Sequence, residues 1–197
     1  LDPQLEGMVD AAEAGLEAAI KMVRAGVVAS DIGAAIEKAI RSRGFAPISN
    51  LTGHSLARYV VHSGRSIPNV EGTNMRRLGA GEVYAIEPFS VPPEAPGLVM
   101  DGAPSNIFIF RKKRRVNGAL AKRMLKFIQA RYRTMPFASR WVLGRFKGRE
   151  GVEAFAELQR SRCVYSYPQL VERSKAMVAQ AEHTVIVTED GCLVTTA

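Results

Sequence analysis

The sequence is poor in the residues on which much small-protein chemistry depends. Its two cysteines, Cys163 and Cys192, lie far apart. That excludes a disulfide framework and a thiolate zinc site and fits a reducing compartment, so both are read as structural. Histidine occurs only as His54, His62 and His183, and tryptophan once; any imidazole chemistry must come from those three. No apolar run reaches 18 residues, and the stretch from Leu1 is acidic and amphipathic, unlike a secretory leader. A cytoplasmic protein with no membrane partner is expected. Internal repeats and low-complexity stretches are lacking as well.

Positive charge is plentiful. The formal net charge is +8. The run Arg111, Lys112, Lys113, Arg114, Arg115 is its densest part, and basic residues recur from Lys122 to Arg149. Two readings stand beside each other: a solvated basic face, or a surface meeting RNA or the ribosome, since basic surfaces attract phosphate whatever the sequence. With 197 residues and 47% hydrophobic content, one domain with a small appendage can bury a proper core.

Asp2 and Pro3 read as cap and first turn of a helix whose apolar residues, from Leu5 through Met8, Ala12, Leu16 and Ile20 to Val23, recur at helical spacing, with Gly26 ending it. A second helix is expected from Ser30 or Asp31, with Ile32, Ile36 and Ile40 on one side and Gly44 past its end. Both need a partner. Strands are expected at Tyr59 to His62, Val83 to Pro88 and Ile107 to Arg111, which are short, β-branched or aromatic, and bounded by Gly or Pro. From about Asn117 to Tyr167 the pattern is helical and reads as an insertion. His183 to Thr188 and Leu193 to Thr195, joined through Asp190-Gly191, read as a closing hairpin.

His54 follows Gly53, where the missing Cβ lets the backbone approach closely and aim the imidazole. A polar loop histidine is the plainer alternative. His62 is expected on the strand Tyr59–His62, sharing a face with Val60, where a satisfied core histidine is the plainer reading. Glu87, in Val83-Tyr84-Ala85-Ile86-Glu87-Pro88-Phe89, puts a carboxylate into an apolar strand. Glu182 opens the last strand in the same way. Buried carboxylates need a cation, a metal or strong donors, so the two acids are either partners in structural ion pairs or, with His54, hard ligands suited to divalent zinc, manganese, iron or cobalt.

Three stretches resemble the type II methionine aminopeptidases, in particular archaeal members: Asn50-Leu51-Thr52-Gly53-His54-Ser55 with Tyr59 and His62, Gly81-Glu82-Val83-Tyr84-Ala85-Ile86-Glu87-Pro88-Phe89, and Ala179-Gln180-Ala181-Glu182-His183-Thr184. The likeness covers essentially the whole chain, which is read as the C-terminal portion of such a protein. It implies an α/β (α+β) pita-bread fold, the creatinase/aminopeptidase fold, in residues 1–116 and 168–197, with residues 117–167 as an inserted helical, winged-helix-like subdomain.

The resemblance also implies roles. His54, Glu87 and Glu182 match ligands of two divalent metal ions (cobalt, manganese, iron or zinc), with Glu182 bridging both. Glu87 would also shuttle the proton, His62 would contact the reacting amide, Phe89 would help line the methionine pocket, and Tyr167 would stand near its rim. The implied reaction is metal-assisted hydrolysis of the first peptide bond of chains that begin with methionine, with nascent chains as substrates and the ribosome as an associate. Two further aspartate ligands and another pocket histidine belong to the family pattern. The five aspartates here, Asp2, Asp10, Asp31, Asp101 and Asp190, do not take those positions. A catalytically silent relative binding RNA or ribosome through its basic surface, and a prolidase-type hydrolase of the same fold, are the alternatives.

Overall fold

The computed structural model describes residues 3–197, with side chains from Leu5 onward; the expected cap Asp2 lies outside the described residues. In chain order the elements are α1 (Pro3–Met22), α2 (Ala29–Arg41), β1 (Ala46–Pro47), β2 (Thr52–Leu56), β3 (Ser66–Pro68), β4 (Val83–Ile86), β5 (Phe89–Val91) and β6 (Val99–Phe110). Then follow α3 (Ala119–Tyr132), β7 (Phe137–Ala138), α4 (Ser139–Arg145), α5 (Gly148–Arg160), β8 (Val164–Glu172), β9 (Ala179–Gln180), β10 (His183–Val187) and β11 (Cys192–Val194). The chain divides into two compact units, residues 1–100 with 170–197, and residues 101–169. Both divisions fall within strands, β6 and β8, so the second unit takes in strand residues on either side of the expected helical span 117–167.

In the first unit, α1 and α2 form because their apolar residues recur every three or four positions, which builds one stripe per helix. Met8, Ala11, Ala12, Leu16, Ala19 and Val23 of the first stripe and Ile32, Ile36 and Ile40 of the second are buried. All of these except Met8 close on Ile67, Tyr84, Ile86, Val185 and Val187 of a five-stranded antiparallel sheet, ordered β11-β10-β4-β2-β3. The second helix begins at Ala29, without the side-chain cap expected of Ser30 or Asp31. Backbone carbonyls replace that cap, since the N–H groups of Ala29 and Ser30 donate to Arg76 and Asn74. The closing hairpin is present, with Val185 opposite Val194 and Val187 opposite Cys192.

The strand expected at Tyr59–His62 is absent. Tyr59 takes φ +63° inside a tight turn that Ala57 and Val60 close by mutual hydrogen bonds, and a left-handed residue cannot continue a strand. The strand is instead β2, so His54 lies on a strand and His62 in the loop after it, the reverse of the expected placement. Val83–Pro88 is cut short at Ile86. Past it, β5 joins β1 and β9 in a separate three-stranded sheet.

The second unit packs α3, α4 and α5 with β6, β7 and β8. Its core contains Phe108, Met124, Ile128, Phe137, Phe155, Leu158 and the buried free thiol Cys163. The Phe155 ring meets Phe108 edge-on at 4.9 Å between centroids, a geometry the ring quadrupoles favour.

Candidate active site

Register brings the site together. On β4, Ala85 stands opposite His54 of β2 on one side and Thr184 of β10 on the other. Directly opposed residues, and residues two apart along a strand, share a face. Following β4 against β10, His183 pairs with Ile86, so the next rung sets Glu182 opposite Glu87. Beyond it the Ala181 N–H donates to the Pro88 carbonyl, and Phe89 pairs with Gln180 in the second sheet. One ladder thus runs through both sheets, and the two carboxylates occupy the break between them. Pro88, which has no N–H to give, stands at that break.

Gly53 makes the approach of β2 possible. A Cβ there would come within 2.5 Å of the Ala85 carbonyl oxygen, so no other residue fits without moving a strand. Asn69, fully buried, holds the corner with its side-chain amide, which donates to the carbonyls of Leu51 at 3.0 Å and Glu87 at 2.8 Å. Ser55 fixes the start of the His62 loop: its hydroxyl accepts from Ser63 Oγ at 2.7 Å and from the Arg65 N–H at 3.1 Å.

Four of the expected site residues therefore meet. His54 Nε2 and Glu87 Oε1 are 2.9 Å apart, and the His54 and His62 rings lie 4.2 Å apart between centroids, tilted by 55°. The Gln180 side-chain amide reaches both acids, 3.4 Å from Glu87 Oε2 and 3.4 Å from Glu182 Oε2. No reading of the sequence singled out Gln180, Asn69 or Ser55. Only the spacing of Gln180, two residues before Glu182, marked it, since such residues share a face of an extended chain.

The bond from Glu87 raises the pKa of His54 against the opposing effect of burial. Burial lowers that of His62, aided by the charge of His54. Glu182 is exposed as a whole residue, which corrects the expectation of a buried acid. Its carboxyl end is still crowded: lost hydration first, then the charge of Glu87, push its pKa up. Phe89, expected to line the methionine pocket, packs on Ala46, Ile48 and Val91 in a small satellite core. Tyr167 lies on β8 in the second unit. The third histidine, His183, pairs with the Thr196 hydroxyl at 3.0 Å.

Imidazole and carboxylate are suitable donors for a divalent cation. Among the described residues no lysine or arginine pairs with Glu87 or Glu182, and His54 Nδ1 is buried without a hydrogen-bond partner. Two facing carboxylates answered by one imidazole leave the group short of positive charge. In donor type and convergence, the set fits a divalent ion. Among the described residues no three His, Cys, Asp or Glu side chains are spaced to hold one in this conformation, in which His54 Nε2 is engaged by Glu87.

Comparison with known proteins bears on the family and the fold. A methionine aminopeptidase of Methanothermobacter thermautotrophicus is 45% identical over 196 residues, which cover 100% of this chain and 65% of that protein. The chain thus spans just under two thirds of the length of this relative. Among solved structures, a thermophilic Arx1 superposes with a TM-score of 0.67 at 15% identity, over 96% of this chain and 56% of that one. The methionine aminopeptidase of Thermotoga maritima superposes with a TM-score of 0.57 at 21% identity, over 98% and 52%. At those identities the likeness establishes the fold, the α/β pita-bread fold expected from the sequence. Residues 1–189 match the family model described as metallopeptidase family M24, whose members use a divalent metal, and the chain belongs to that family.

Proposed function

We propose that this chain forms the larger part of a methionine aminopeptidase, removing N-terminal methionine from peptides and nascent chains by metal-dependent hydrolysis. The observation that carries the reading is the convergence of His54, Glu87 and Glu182 from β2 and the break between the two sheets, with His62 against His54. His54, Glu87 and Glu182 would hold the metal, taken here as two ions among cobalt, manganese, iron and zinc, with further ligands from outside the described residues. Bound, such ions polarise the scissile carbonyl and make water a nucleophile near neutral pH.

The remaining work falls to the chain's own side chains. Glu87 takes the proton from the attacking water and passes it to the departing amine, a transfer commonly worth about 10²–10⁴-fold. His62, on a loop fixed by Ser55 and Ser63, donates an N–H toward the oxygen of the scissile bond, where charge develops. Gln180 keeps the two carboxylates at one spacing. Phe89 and Tyr167 remain the proposed substrate contacts. Residues 117–167 act as the inserted subdomain, and the setting is the cytoplasm, where nascent chains emerge from the ribosome. No helix among the described residues is long and apolar enough to cross a membrane.

The test is release of methionine from Met-Ala-Ser with manganese or cobalt added, by this chain and by a form extended to the length of its relatives. The extended form is expected to release methionine, and Glu87→Gln to reduce release by about 10²-fold or more. Calorimetric titration with manganese should lose its binding isotherm in the double variant E87Q/E182Q. An extended form that binds metal and leaves the peptide intact sinks the reading.

A further inference from the structure

The second unit has sixteen lysines and arginines against four acids, a net charge of +12 in residues 101–169. Two of those acids are already engaged. Glu157 accepts from the N–H groups of Asn117 and Gly118, and Glu153 holds Arg149 at 2.8 Å. The cations that line its recesses have no carboxylate partner among the described residues. One recess, of about 590 Å³, is walled by Arg111, Arg114, Arg162, Gln159 and Tyr165. A second, of about 470 Å³, adds Arg115, Lys122 and Lys126, and a third, of about 680 Å³, adds Arg160.

Arg114 lines all three, and Lys126 joins the second to a fourth recess beside Arg145. Shared walls make these one basic track. An aromatic ring stands on it: Tyr165 is 43% exposed, and the Arg111 guanidinium sits 4.9 Å from its centroid. Unpaired cations in series match a ligand whose negative charges also come in series. A planar ring with a guanidinium beside it matches flat, polarisable groups carried between those charges.

We infer that this track, from Arg111 and Tyr165 past Arg114 and Arg162 to Lys126, binds single-stranded nucleic acid, with phosphates on the cations and a base on Tyr165. The inference is independent of the peptidase reading, because none of these residues belongs to the first unit. Recesses of this size hold nucleotide-sized groups one at a time. A duplex keeps its bases stacked within itself and has none to offer the ring.

The test is fluorescence anisotropy of the whole chain with labelled RNA of about 15 nucleotides, between about 50 and 200 mM salt. Binding that weakens steeply with salt is expected. The triple variant R111E/R114E/R162E should bind at least tenfold more weakly, with the log–log salt slope reduced by about 2. The variant R111Q/R114Q/R162Q repeats the measurement should charge reversal disturb folding, as judged by circular dichroism. Tyr165→Ala should weaken binding about fivefold or more at an unchanged slope, and Lys38→Glu on the first unit should leave binding as it was. Single-stranded DNA should bind comparably and duplex several-fold more weakly. No binding, no effect of the triple variants or of Tyr165→Ala, tighter binding of duplex, or equally tight binding of polyglutamate would each overturn the inference.

Discussion

The two units handle charge in opposite ways. The first has fifteen acids against eleven lysines and arginines, a net of −4, and the second is +12. In the first, charges answer one another. Glu82 accepts from the Tyr84 hydroxyl at 2.7 Å, from Arg76 at 3.2 Å and from Arg65. Glu37 holds Arg41 and the Glu71 N–H, and Glu87 holds His54. In the second, the cations along the basic track have no such answer within the unit. Electrostatics thus serves the fold and the site in one unit, and in the other is left for something the chain meets.

That contrast can be attacked from either side. The largest effect is expected where the first unit is tightest: Gly53→Ala should cost about 3 kcal/mol by urea denaturation, the upper end of overpacking, because the new methyl meets the Ala85 carbonyl. An unchanged midpoint would mean that β2 and β4 can part freely. Next, Glu82→Ala should cost about 1–2 kcal/mol, discounted for partial exposure, since it strips Tyr84, Arg65 and Arg76 of one shared acceptor. A negligible loss would remove the internal balance claimed for this unit.

A smaller effect, visible only in acid, is expected at Glu172. Its buried carboxylate accepts from the Ser174 hydroxyl and N–H and from the Ala176 N–H, and the Ser174 hydroxyl above all holds its pKa below the ordinary 4.5. A lowered folded-state pKa means a contribution fully present above 4.5 and lost as pH falls through the lower folded value. Glu172→Gln should therefore flatten the fall in stability below that point, as measured by urea midpoints across pH. Parallel curves for variant and parent would refute it. Smallest of all, Arg114→Ala and Arg162→Ala should shift stability by no more than about 0.5 kcal/mol. A loss comparable to that of Glu82→Ala would show that these cations serve the fold after all.

Much of this was legible in the sequence for definite reasons. The stripes of α1 and α2 announce themselves by spacing, the last hairpin by Asp190-Gly191, and the close approach at His54 by Gly53. Tyr59–His62 misled because β-branched and aromatic composition records a preference for extended backbone without recording the turn that Tyr59 enters. Thr52–Leu56, poor in such residues, is a strand because β3 and β4 pair with it on either side. Gln180 and Asn69 escaped for a related reason: a side-chain amide discloses its use only when its partners, 93 and 18 residues away, arrive beside it.

The rung that sets Glu87 opposite Glu182 has a consequence for how such a chain can change over time. The two acids are kept together by counting residues along paired strands, and nothing in that count refers to the chain between them. A one-residue insertion within β4 or β10 would turn one acid to the opposite face and dissolve the pair. The long excursion from Val91 to Ala179, which contains the whole basic unit, can be lengthened, shortened or re-sequenced without altering the count. Innovation on the excursion and constancy at the rung are therefore separate matters, and a lineage can revise one while inheriting the other intact.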